Sequence, residues 1–109
     1  KYDMTTVGIR TIVPFFPGDA NIIEFPLTVP QDYYVLNHKR KEGPEFLRMW
    51  LSRLEYIKSR KGLIVINAHA DRYDLGGKAF LYKAFLEYVH SHLDSLEVVL
   101  PRELFERLN

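Results

Sequence analysis

The chain has no cysteine among its 109 residues, which excludes a disulfide framework and thiolate chemistry and leaves histidine and carboxylates as ligands for any metal. Long apolar runs are also lacking. None approaches the roughly 18 residues a membrane-crossing helix needs, and the opening Lys1-Tyr2-Asp3-Met4 resembles neither a secretory leader nor an ordinary initiator. A chain that begins at Lys1 with its first methionine at Met4 reads as a piece of something longer. No charge of one sign is in excess: 15 basic and 14 acidic residues leave a net charge of +1, so neither nucleic acid nor a membrane surface is implied as a partner. The one dense basic run, His38-Lys39-Arg40-Lys41, reads as a solvated loop. Gly76-Gly77 lacks the strand-GxGxxG-helix context of a phosphate loop, and there is no nucleophile elbow.

What is present suffices for a packed core, since hydrophobic residues make up 47% of the chain and aromatics 14%. A β-branched stretch closed by Pro14 and Pro17 predicts a strand at about 8–13, and Ile22 to Leu27 a second, with Pro26 marking an end, an edge or a bulge. Asp32 is placed to cap a short helical turn through Leu36. Gly43-Pro44 opens a helix whose Phe46, Leu47, Trp50, Leu51, Leu54 and Ile57 form one stripe, and Arg60-Lys61-Gly62 supplies its basic last turn and a glycine C-terminal cap. The apolar run Leu63 to Ala68 reads as a buried parallel strand that emits His69, Asp71, Arg72 and Tyr73 where it leaves the core. A second amphipathic helix is predicted over about 78–93, a short strand at Leu96 to Leu100, and a last helix from Pro101. Helix, strand, helix, strand, helix in that order predicts an α/β fold with mostly parallel strands and helices packed on the outside.

His69 is the foremost candidate for chemistry, because an unperturbed imidazole titrates near pH 6.5 and exchanges protons under mild conditions. A neighbouring acid, Asp71 or one from another loop, would hold its tautomer. Arg72, Arg10 and Asp32 follow, each near a predicted strand terminus, with surface salt bridging as the alternative for each. Tyr33 and Tyr34 could stack on sugar rings, whereas Trp50 falls on the helix stripe and reads as core. His90 and His92 read as surface or last-turn histidines of the second helix. His69-x-Asp71 alone does not complete a metal site, which needs three or more ligands.

The succession IIEFPLTVPQDYY, a Trp-containing helix, KGLIVINAHADRY, an amphipathic helix and LEVVLPREL resembles the C-terminal half of polysaccharide deacetylase-like proteins of the NodB type. KYDMTT and GIRTIVPF resemble the Y-D-S-S and G-x-R-x-G-x-x-x-P stretches that precede it there. The resemblance implies a distorted, here partial, (β/α) barrel and hydrolysis of an N-acetyl group on a sugar, assisted by a divalent metal, most often zinc. It implies that His69 is the general acid toward the leaving amine, that Asp71 and Arg72 shape the loop beside it, and that Asp32 sits on the facing loop. The family's paired aspartate and His-x-x-x-His do not occur in this sequence. No metal is therefore expected on these residues alone, and the chain is read as a single domain or as the C-terminal half of a larger barrel. Its expected partners are a carbohydrate substrate and either a missing N-terminal half or a second copy of the chain. A non-catalytic carbohydrate-binding or assembly domain on the same scaffold is the alternative, and an unrelated histidine-dependent hydrolase a third reading.

Overall fold

The computed structural model describes residues 11–16, 18, 22–32, 35, 43–69 and 79–108. Among them are the helices α1 (Pro44–Ser59), α2 (Ala79–Ser91) and α3 (Pro101–Leu108). The stripe predicted for α1 is the one it buries: Phe46, Trp50, Leu54 and Ile57 are inaccessible, with Leu47 and Leu51 half-buried beside them. Against this face lie Leu81 and Phe85 of α2, and the Trp50 ring meets Phe85 edge-on at 5.1 Å and Phe46 at 4.6 Å. Val29 and Val35 close the core from the preceding loop. Aromatic contacts of this kind add to the stabilisation from burial itself.

Both ends of α1 carry their own logic. Pro44 occupies its first turn, where a missing N–H costs nothing. At the other end the Gly62 N–H donates to the Ile57 carbonyl and the Lys61 N–H to the Lys58 carbonyl, both at 3.0 Å. These are the two bonds of a Schellman motif. The left-handed residue is not the predicted glycine but Lys61, at φ 55°. Gly62 answers a different need, since a Cβ there would lie 2.9 Å from the Ile12 carbonyl oxygen and 2.8 Å from its Cδ1.

The expected α/β architecture is not what the chain adopts: no sheet, and hence no partial (β/α) barrel, is present among the described residues. The reason lies in what flanks the apolar run. Residues 62–69 form no regular element, and the segment beside them, 26–32, holds Pro26 and Pro30 and cannot supply a regular row of donors. A side chain fills the gap. Thr28 Oγ1 donates to the Leu63 carbonyl at 2.7 Å and accepts from the Val65 N–H at 2.8 Å, while the Thr28 and Val29 N–H groups share the Val65 carbonyl at 3.2 Å. On the opposite side, Ile64, Ile66 and Ala68 have no backbone partner among the described residues. Of the two strands predicted near the start, residues 8–10 lie outside the described residues, and the described ones show a single antiparallel bridge between Phe15 and Glu24; residues 96–100 form no ladder among the described residues, with Val98 73% exposed.

After α2, which ends two residues short of its predicted limit, His92 donates from Nδ1 to the Tyr88 carbonyl at 2.7 Å and stacks on the Tyr88 ring. The Tyr88 hydroxyl in turn donates to Glu55, joining α2 to α1. At α3, Glu103 reaches back to accept the Leu100 N–H at 2.8 Å, half of a capping box. Arg107 pairs with Glu97 at 2.6 Å. That contact lowers the Glu97 carboxyl below its ordinary range and raises the Arg107 guanidinium, in each case chiefly through the hydrogen bond. No helix among the described residues is long and apolar enough to cross a membrane.

Candidate functional site

The site is built where the run 62–69 passes the loop 28–32. The Leu63 carbonyl, both Val65 backbone groups and the His69 N–H all bond to this loop, at Thr28, Val29 and Asp32. The loop is fixed from behind by α1. The Trp50 indole N–H donates to the Pro30 carbonyl at 2.8 Å, and Arg53 Nε to the Thr28 carbonyl at 2.7 Å. Just beyond Pro30 the Gln31 carbonyl accepts the Val35 N–H at 3.2 Å, and Asp32 is turned inward, fully buried.

Asp32 and His69 meet there. The Asp32 carboxylate is fully buried and accepts two hydrogen bonds from one residue, the His69 backbone N–H on Oδ2 and the His69 Nδ1–H on Oδ1, each at 2.6 Å. An ionised carboxylate only accepts, so the ring presents a proton at Nδ1. Holding both the main chain and the ring leaves the imidazole little freedom. The side chain remains 40% exposed, and Nε2 is the ring nitrogen that Asp32 does not engage. A buried carboxylate that fixes an imidazole in one tautomer, with the far nitrogen toward a ligand, is an arrangement suited to proton transfer.

Of the residues singled out from the sequence, His69 and Asp32 are thus brought into direct contact, 37 positions apart in the chain. Arg10, Tyr33, Asp71 and Arg72 lie outside the described residues. Trp50 is buried, and its contact with the site is through its N–H to Pro30. Three contributors were not singled out in the sequence: Thr28, which holds the register, and Gln31 and Asn67, whose side-chain amides meet at 3.4 Å beside the Asp32–His69 pair. The one sequence signal for Asn67 is its alternation with His69 along the run predicted as a strand. For Thr28 there is none, since a threonine between Leu27 and Val29 reads as ordinary strand composition.

Among the described residues no three His, Asp or Glu side chains converge as a metal would require. Both Asp32 oxygens and His69 Nδ1 are already engaged with each other, and the zinc that the resemblance implies is expected on motifs that do not occur in this sequence. Compared with family models, with curated proteins and with solved structures, the chain matches none.

Proposed function

We propose that His69 is a general acid in the hydrolysis of an N-acetyl group carried by a sugar. The observation that carries this reading is the buried Asp32 carboxylate gripping both the N–H and the Nδ1–H of a part-exposed histidine. In such a step water adds to the amide carbonyl and the C–N bond breaks. The departing amine takes its proton from His69 Nε2, and acetate and a free amino sugar result. Asp32 keeps Nδ1 protonated throughout, and the proton given to the amine is the one on Nε2 of the imidazolium formed before each transfer. The choice of an N-acetylated carbohydrate is supported by the NodB-type resemblance of the segments that carry Asp32 and His69. The base that accepts the water proton, and any divalent cation, are left to side chains outside this pair, whether elsewhere in the protein or in a partner chain.

The test is acetate release from N-acetylglucosamine oligomers by the protein as encoded, compared with His69→Ala. Loss of roughly 100-fold or more in rate is expected for a general acid. Undiminished release in the variant would remove His69 from the chemistry. A second reading, a carbohydrate-binding or assembly domain without turnover, is favoured by the lack of a convergent ligand set among the described residues. It predicts oligosaccharide binding with no acetate released by either protein.

A further inference from the structure

We propose that the side-chain amides of Gln31 and Asn67 form a hydrogen-bonding subsite for the neutral polar groups of a sugar, its acetamido and hydroxyl groups, beside the His69 imidazole. The inference rests on the carbohydrate reading above and adds the residues that recognise the ligand. Asn67 lies two positions before His69, and the two side chains reach neighbouring residues of the same facing loop, Gln31 and Asp32. Gln31 immediately precedes Asp32 in the facing loop, so the amide pair and the carboxylate–imidazole pair are consecutive rungs between the same two segments.

The chemistry of this rung matches an uncharged ligand. Asn67 Nδ2 donates to Gln31 Oε1 at 3.4 Å in an exposed contact, near the outer limit for a hydrogen bond, so a ligand that replaces it forfeits little. Asn67 Oδ1 then remains as an acceptor, and Gln31 Nε2 and the second Asn67 N–H as donors. Among the described residues none of these makes another hydrogen bond. A sugar acetamido group carries one N–H and one C=O, and hydroxyls do both, so each ligand atom has a counterpart. Segments 28–32 and 62–69 contain no Lys or Arg, and Arg53, which reaches the loop from α1, spends its Nε on the Thr28 carbonyl. The single carboxylate of the two segments is buried against His69. The one group of the two segments that can carry a positive charge is His69, and Asp32 already pairs it, so nothing in them selects a phosphate or carboxylate over a neutral group.

The experiment uses the full chain and two neutral probes, a tetramer of N-acetylglucosamine and the glucose tetramer that has hydroxyls in place of its acetamido groups. Calorimetry gives their affinities for wild type, Asn67→Leu and Gln31→Leu, and ¹⁵N NMR follows the side-chain amides of wild type during titration. Removing one or two ligand hydrogen bonds is expected to weaken the acetamido probe by about ten-fold in each variant. The glucose probe should bind wild type more weakly, and the Gln31 and Asn67 side-chain signals should shift on saturation. Affinities within about two-fold of wild type in both variants, where ten-fold is expected, or no measurable binding of the acetamido probe to wild type, overturns the subsite. Where a variant does not stay folded, the wild-type amide signals decide: unmoved signals at saturation overturn it. Acetate release is read separately. Affinity lost in Asn67→Leu without any turnover in wild type supports the subsite and counts against the deacetylation step, while turnover with unchanged affinity counts against the subsite alone.

Discussion

Replacing Thr28 by valine isolates the contact that sets the register of the site. The two side chains have nearly the same shape, but valine has no oxygen, so the Leu63 carbonyl loses its donor at 2.7 Å and the Val65 N–H its acceptor at 2.8 Å. Thr28 is fully buried, and water does not reach its position to restore either bond, although Leu63 and Val65 are only half-buried. Allowing about 1 kcal/mol for each lost bond gives a destabilisation of about 2 kcal/mol. For a domain of this size that is a fall in Tm of roughly 8–16 °C. Thr28→Ser serves as the comparison, since it keeps the oxygen and loses one methyl group, worth about 1 kcal/mol. Thermal and urea denaturation of the three proteins gives the answer. A valine variant that melts within about 2 °C of wild type, well below one lost bond's worth, would show that Thr28 does not replace the missing strand ladder.

Asp32→Asn should cost about 2–3 kcal/mol in urea denaturation, because the amide must aim an N–H at one of two His69 donors and a charge-assisted bond is lost. Equal stability would show that the pair is not held as described. Gly62→Ala should destabilise by about 1–3 kcal/mol, since its methyl would press on the Ile12 carbonyl that accepts the Leu63 N–H at 2.6 Å. A neutral outcome would mean that the two segments separate freely. The Glu55 carboxyl is held below its ordinary value of 4.5, first by the Tyr88 hydroxyl, with burial opposing and Lys58 and His92 assisting. The same bond raises the Tyr88 phenol above its ordinary 10.0. Its contribution is therefore complete between those two ordinary values, fading as pH falls through the depressed Glu55 value or rises through the elevated Tyr88 value. Tyr88→Phe should accordingly melt below wild type near neutrality, with the gap closing in acid; a gap constant with pH would contradict this.

The helices were legible in the sequence because their signals are local. The Phe46, Trp50, Leu54, Ile57 spacing and Pro44 fix α1 within its own residues, and Pro101 with Glu103 does the same for α3. The strands were not, because an apolar run such as Leu63 to Ile66 becomes a strand only if a neighbour offers matching backbone groups, and that neighbour is distant in the chain. Pro26 and Pro30 make the neighbour irregular, and Thr28 turns what would be a ladder into a side-chain bridge. The same distinction applies to the site. His69 could be singled out as the polar residue that ends a buried run, and Asp32 as a polar residue on a facing loop. That both of its carboxylate oxygens serve one histidine depends on Trp50 and Arg53 holding the loop from α1, a relation no local pattern encodes. Gly62 shows the limit from the other side, since glycine after a helix suggests a left-handed cap, yet Lys61 takes that conformation and Gly62 admits Ile12.

Asp32 holds His69 with its proton on Nδ1, and the proposed general acid then works through Nε2. The ¹⁵N chemical shifts of the His69 ring, recorded on the neutral imidazole in wild type and in Asp32→Asn, test it most directly. The Nδ1–H tautomer is expected in wild type, and its loss, or a mixture of tautomers, in the variant. A wild-type ring carrying its proton on Nε2, or a tautomer indifferent to the change at Asp32, would contradict it.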